Sequence, residues 1–165
     1  MNFKTYVTHQ LCEMKRELLT TVDGLDQKTL ASFGPVNHWP AAWIAEHCTQ
    51  IADALLYRPI HGSQMHEYAD QVQNWTSREP APGDSYPPLS EIKTRWSDLC
   101  DWVIEHVKAT DEASLQDASG DTAYLENILL AVNHTNSHLR SLWCLLGQQR
   151  VDQKWAEQQS YLACE

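Results

Sequence analysis

Apolar residues recur at intervals of three and four along four segments of the chain, and no segment shows sustained alternation of apolar and polar residues. Intervals of three and four place side chains on one face of an α-helix, whereas alternation would indicate a strand. The clearest segment covers residues 91–108, and its apolar positions are Ile92, Trp96, Leu99, Cys100, Val103 and Val107. The sequence therefore predicts an all-α fold.

The ends of the first two helices are marked by glycine and proline. The first helix is expected to end at Asp23-Gly24, because glycine readily adopts the left-handed conformation of a helix C-cap. The second is expected over residues 39–57, with Pro40 in its first turn and Arg58-Pro59 as its stop. The apolar stripe of the first helix is Val7, Leu11, Met14, Leu18 and Val22.

The last two helices are bounded in a similar way. Ser90 is available as the N-cap of the third helix, just after a proline pair. The fourth helix is expected over residues 123–146, and Gly147 follows it as a C-terminal stop.

A connection of about thirty residues separates the second and third predicted helices, and such long connections are uncommon unless they have a role. It begins at Arg58 and is rich in Pro, Gly and polar residues. Two roles stay open and are compatible with each other. The segment is either a crossover along a bundle, which makes its flanking helices parallel, or a lid over a site at one end. A short helix is expected near residues 63–75.

Length, charge and cysteine content narrow the class of protein. A chain of 165 residues suits one domain, with a core at residues 3–147 and a tail at 148–165. The formal net charge of −10 disfavours binding to nucleic acids and to anionic membrane surfaces. The sequence shows neither a transmembrane stretch nor the apolar core of a signal peptide, so we expect a cytoplasmic protein. Five scattered cysteines without a CxxC pair indicate neither a disulfide framework nor a thiolate zinc site.

One histidine lies at the centre of an apolar helix face. At 100° per residue, His47 falls on the same face of the second helix as Ile44 and Ile51. Three polar residues, Glu46, Thr49 and Asp53, are expected to point the other way. A single histidine in a core is more often hydrogen-bonded internally than bound to metal, so His47 alone does not indicate a metal site.

Two further histidines make the metal hypothesis stronger. His134 and His138 lie four residues apart on the flank of the fourth helix, between its polar and apolar faces. That spacing places Cβ atoms about 5–6 Å apart, which allows two imidazoles to converge on one ion. His47 lies near the middle of its own helix, as this pair does, so all three should have a similar height in a bundle. We therefore predict a site in which His47, His134 and His138 bind one metal ion.

The chemistry of the predicted ligands suggests the type of site. Three histidines without a cysteine would leave an open position on a divalent ion, as in catalytic rather than structural zinc sites. Imidazole suits several metals, and we expect zinc or nickel, with iron, manganese and copper as alternatives. A water or a thiolate at the open position could be activated there, or a substrate carbonyl polarised.

The segments HWPAAWIAEHCTQIADALL and NHTNSHLRSLWCLLG, separated by a long loop and a Trp-containing helix, resemble the DinB-like family over most of the chain. The resemblance implies a four-helix bundle, typically up-down-down-up, with a long connection between its second and third helices. It also implies a three-histidine metal site, whose positions here are His47, His134 and His138. The wider superfamily includes metal-dependent thiol transferases. After the last histidine, this chain has Leu139-Arg140-Ser141 where Gly-Gln is frequent.

Two functions are compatible with these features. The first is a metal-dependent enzyme that activates a thiol or water against a small electrophile, with a low-molecular-weight thiol as one expected partner. The rival is a non-catalytic metal-binding or stress-related module that forms a homodimer. Trp75, Trp102 and Trp155 lie outside the best core stripes, and aromatic residues are enriched at interfaces.

The other histidines and polar loop residues are weaker candidates for the site. A polar cluster in the loop, His66, Glu67, Tyr68 and Asp70, is more often solvated than functional. His106 is expected to have a structural role near a helix C-terminus. His9 lies opposite its helix's stripe, His38 belongs to a helix entry, and His61 has no clear context.

Overall fold

The computed structural model describes residues 3–32, 39–68, 72, 79–116 and 124–146. Within these ranges the chain is helical without strands, so the prediction of an all-α fold is confirmed. A π-helical segment, Asp53–Tyr57, joins α3 to α4. The helices are α1 (Phe3–Val22), α2 (Gln27–Ala31), α3 (Ala41–Ala52), α4 (Arg58–His61), α5 (Leu89–Ala109), α6 (Glu112–Gln116) and α7 (Tyr124–Leu146).

The apolar stripes predicted for the first and third helices form the core. Every residue of the α1 stripe is buried, and so is every residue of the α5 stripe. Gly24 follows α1 with a φ of 70°, as expected for a left-handed C-cap. The N-cap prediction for the third helix was wrong. Pro88 occupies that position and its carbonyl accepts from Glu91 and Ile92, which places Ser90 inside the first turn.

α1 and α5 run antiparallel. At the beginning of α1, Lys4 Nζ donates to the Thr110 carbonyl at 2.8 Å, just beyond the end of α5. After the end of α1, Lys93 Nζ bonds to Asp23 at 2.9 Å, near the beginning of α5.

α3 and α5 run parallel, as a crossover connection requires. Glu46, in the first half of α3, pairs with Arg95 in the first half of α5 at 2.9 Å. Beyond the end of α3, Tyr57 of the π-helical segment packs edge to face on Trp102, which lies further along α5, with ring centroids 4.7 Å apart. The long connection therefore returns the chain to the end of the bundle at which α3 begins.

α7 runs in the direction of α1. Tyr124, its first residue, packs against His106 near the end of α5, with ring centroids 5.3 Å apart. At the other end, Trp143 Nε1 donates to Thr21 Oγ1 of α1 at 3.1 Å. The four long helices thus have the relative directions of an up-down-down-up bundle.

The expected stop at Arg58-Pro59 was wrong. The Arg58 N–H bonds to the Asp53 carbonyl, five residues back. The helix therefore continues through the π-helical segment, here called the π-turn, instead of ending. Pro59 then lies in the first turn of α4, where its missing N–H is not needed. The chain leaves the helix at Gly62, whose φ is 77°. Residues 63–68 of the expected short helix are not helical, and residues 69–71 and 73–75 lie outside the described part.

α3 is buried on every side. All residues from Ala41 to Ala52 are buried, together with Asp53 in the π-turn. Glu46, Thr49 and Asp53 were expected on a face that points away from the core. That face is not exposed, because it is covered by α5 and by the connection that follows α4. No described helix has the length and hydropathy needed to cross a bilayer.

A pair of leucine substitutions tests where the core lies. Leu99 on α5 is fully buried, whereas Leu129 on α7 is 43% exposed. Leu99→Ala should lower the free energy of unfolding by about 2–5 kcal/mol, because it removes buried methyl groups and leaves a cavity. Leu129→Ala makes the same chemical change on a helix and should cost less than about 0.5–1 kcal/mol. Urea unfolding measures both, and equal losses would contradict this placement of the core.

Candidate metal centre

His47 is held on α3 by an aromatic stack. The residue is 7% exposed, and Trp43, one turn earlier, lies parallel to its ring with centroids 4.6 Å apart. Trp39 packs edge to face on Trp43 at 4.4 Å. The spacing of four residues places the Trp43 ring on the helix face of His47, so one side of the imidazole is closed to water.

The structure brings the three predicted histidines together. His134 and His138 of α7 are half-buried and face His47, whose ring centroid lies 5.0 Å from the first and 5.2 Å from the second. The centroids of the α7 pair are 4.6 Å apart. One ligand atom from each residue lies within 4.8 Å of the other two.

These distances are close to those of a metal site. Zinc–nitrogen bonds of about 2.0–2.1 Å put two nitrogens on one tetrahedral ion about 3.4 Å apart. Small rotations of the imidazole rings would therefore bring the three nitrogens to one ion. Among the described residues, no other His, Cys, Asp or Glu belongs to this cluster. Three neutral imidazoles are a donor set that fits a divalent transition metal.

The electrostatics favour unprotonated imidazoles. Burial, with a smaller contribution from His138, lowers the pKa of His47 from its ordinary 6.5 to about 4. Burial, followed by the two neighbouring histidines, lowers the pKa of His134 to about 3. Burial also lowers the pKa of His138. At neutral pH all three rings are therefore uncharged, and each has a nitrogen lone pair that could bind a metal.

The long connection reaches the site at Val72. This residue is buried, and its backbone forms a hydrogen bond with the ring of His47. Because this bond raises the pKa of the imidazole, the acceptor is the Val72 carbonyl. A ring that donates through one nitrogen has its lone pair on the other. Metal-binding histidines usually have such a second partner, which orients the ring.

The loop candidates lie around Asp53 and not around the histidines. Asp53 accepts hydrogen bonds from the backbone N–H groups of Met65 and His66 and from the Tyr68 hydroxyl. The His66 ring lies 3.2 Å from the Arg95 carbonyl. Glu67 is exposed, and Asp70 lies outside the described residues.

The remaining histidines are also placed elsewhere. His106 stacks on Trp102, and His61 packs against Trp102 and Tyr57, so these two belong to an aromatic cluster. This packing supports the structural role predicted for His106. His9 is exposed, and His38 lies outside the described residues.

Two buried carboxylates, Glu46 and Asp53, were not recognised as structural groups from the sequence. Glu46 Oε2 pairs with Arg95 at 2.9 Å, and burial, opposed by Arg95, raises the pKa of Glu46. Arg95 also pairs with Glu91 one turn earlier on α5. The signal that could have revealed them is the presence of Glu46 and Asp53 in a segment otherwise apolar enough for a core, since buried carboxylates need partners.

Comparison with known proteins adds one finding. The family model of the DinB superfamily matches residues 10–142, a range that contains all three histidines of the cluster. No curated protein and no solved structure matches the chain.

The lowered histidine pKa values predict how the metal-free protein responds to acid. Below pH 6.5, which is the ordinary pKa of histidine, residue 47 becomes protonated in the unfolded chain. In the folded protein His47 stays neutral until about pH 4. Unfolding is therefore increasingly favoured as the pH falls from about 6.5 towards 4. Urea midpoints of the metal-free protein should decrease over this interval. The double variant His47→Gln, His134→Asn should lose less stability over the same interval, whereas identical slopes would contradict the assignment of neutral buried imidazoles.

Proposed function

The chain belongs to the DinB superfamily, and on this premise we propose that it is a metal-dependent enzyme in which His47, His134 and His138 hold one divalent ion. The observation that carries the proposal is the convergence of three uncharged imidazoles from two helices, with their ligand atoms within 4.8 Å of one another. Structural metal sites usually complete their shell with a fourth side chain. The described residues offer three donors here, which supports a site with a position left for a reactant.

The two sides of the site differ in access. Trp43 covers the α3 side and is 2% exposed, whereas His134 and His138 are half-buried. A reactant would therefore approach from the α7 side. A bound divalent ion would supply a positive charge that activates a water or thiol, or polarises a carbonyl. Trp43 and Trp39 would exclude water from behind His47 and present an apolar surface beside it.

The free cysteines among the described residues favour a thiol that comes from outside the protein, if the nucleophile is a thiol. Cys48, next to His47, is fully buried, and burial raises the pKa of its thiol. Cys100 is buried as well and its pKa is raised in the same way. Cys144 is exposed on α7, but it follows His138 by six residues, which places it about 240° around the helix. We therefore propose transfer of a low-molecular-weight thiol, or attack by water, on a small electrophilic substrate.

The donor type narrows the choice of ion. Neutral imidazoles bind zinc and nickel well, and iron, copper and manganese remain as alternatives.

The rival function is a homodimeric metal-binding module. It was supported by tryptophans that were expected to lie outside the core. Trp102 is half-buried and packs on Tyr57, His61 and His106 of the same chain, so it does not favour this function. Trp75 and Trp155 lie outside the described residues.

Metal analysis of protein purified without an affinity tag tests the proposal directly. The wild type should bind one divalent ion per chain, and His47→Ala and His138→Ala should each reduce binding at least tenfold, because each removes one of three ligands. His9→Ala changes an exposed histidine on α1 and should bind metal as the wild type does. Equal metal content in all four proteins would refute the site.

Catalysis is tested after metal loading. The loaded protein should consume small electrophiles in the presence of low-molecular-weight thiols or of water alone, and His138→Ala should lose this activity while it remains folded. Tight metal binding without turnover, combined with a spectroscopically closed coordination shell, would favour the non-catalytic module instead.

A further inference from the structure

The carboxylate of Asp53 ties the long connection to the π-turn. Asp53 is fully buried, and its two oxygens accept from the Met65 N–H at 3.0 and 2.9 Å. The same carboxylate accepts from the His66 N–H at 3.2 Å and from the Tyr68 hydroxyl at 3.0 Å. We call Asp53 with these three donors the Asp53 clasp. All three donors come from the connection, so the clasp fixes where this part of the chain lies on the bundle.

A second set of contacts holds the connection against α5. The His66 ring hydrogen-bonds to the Arg95 carbonyl, and the Arg95 guanidinium lies over the Tyr68 ring at 5.9 Å from its centroid. Tyr68 is 7% exposed. Its ring is thus packed in the bundle while its hydroxyl completes the clasp.

Val72 follows Tyr68 by four residues and is again buried, and its carbonyl accepts from His47. A segment of four residues spans at most about 14 Å when extended, so the position of Tyr68 restricts where the Val72 carbonyl can lie. His47 lies on α3, six residues before Asp53, which begins the π-turn that continues this helix. The connection is thus attached to one helix at two points, once through a carboxylate and once through an imidazole.

We propose that the Asp53 clasp is a positioning device for the candidate metal centre: it holds the Val72 carbonyl against His47, and so selects the tautomer and orientation in which His47 can bind an ion. This inference rests on the proposed metal site. Tyr68 and Asp53 are positioning residues, since they act on the ion through Val72 and His47. The coupling is reciprocal by thermodynamic linkage, so metal binding should also stabilise the clasp.

Removing the Tyr68 hydroxyl is the sharpest test. Tyr68→Phe deletes one of the three clasp donors and keeps the ring, and competition with a chelator then gives its Zn²⁺ affinity. Loss of a partner that orients a ligand costs about 10–100-fold in metal affinity, and we expect about tenfold weaker binding because two donors remain. Tyr124→Phe is the matched control, since the Tyr124 hydroxyl is buried without a hydrogen-bond partner in the described part of the chain. Equal affinities of the two variants would overturn the proposal.

A signature independent of the ion separates positioning from general loosening of the fold. In the metal-free protein at pH 7, the two ring nitrogens of His47 should give well-separated ¹⁵N shifts in the wild type, as expected for one fixed tautomer. In Tyr68→Phe the shifts should move towards each other, while those of His106 stay unchanged. Unaltered His47 shifts would argue against the clasp. If the wild type binds no Zn²⁺, the proposed function fails, yet this measurement still decides whether the clasp orients His47.

The wild type provides a test that needs no variant. Hydrogen exchange at the Met65 and His66 amides should slow when Zn²⁺ is added, because both N–H groups donate to Asp53. Asp53→Asn, which keeps one carbonyl oxygen, should exchange faster at these amides and gain less protection from Zn²⁺. Exchange rates that ignore Zn²⁺ in the wild type would refute the coupling, even if both variants failed to fold.

Discussion

A helix that is buried on every side must find partners for the polar side chains that it carries, because an unpaired polar group in a protein interior costs several kcal/mol. α3 is such a helix, and together with the π-turn that follows it, it carries Glu46, His47 and Asp53. Arg95 from α5 neutralises the first, α7 and Val72 surround the second, and the connection after α4 donates to the third. These contacts provide the partners that the three buried groups need.

The same burial shapes the chemistry of the candidate centre. Desolvation keeps the imidazoles uncharged, which is the protonation state that a metal ion requires. It also makes the Cys48 thiol, the nearest nucleophile in sequence, too hard to ionise for direct use. If the face of α3 that carries His47 were exposed, His47 would have an ordinary pKa and water as its partner.

Much of the architecture was predictable because it follows from local periodicity. The apolar spacing along α1 and α5 predicts which of their residues are buried. The spacing of His134 and His138 is likewise a property of one helix. The errors arose where partners distant in sequence decide the outcome. The helix continues through Arg58-Pro59 because the Arg58 N–H bonds to the Asp53 carbonyl in the π-turn. The N-cap of α5 is Pro88 and not Ser90. Local signals do not specify which of two compatible caps or turns is used.

The sequence by itself determined that the chain is helical, where its long apolar faces lie and that His134 and His138 share a helix flank, because these depend on the positions of residues along one helix at a time. Only the tertiary structure decided that α3 has no solvent face, that Asp53 anchors the connection and that the Val72 carbonyl meets His47. These features depend on the path of a connection without periodicity. Buried hydrogen-bonding groups of the helix that this connection covers determine where it lies, because each of them needs a partner.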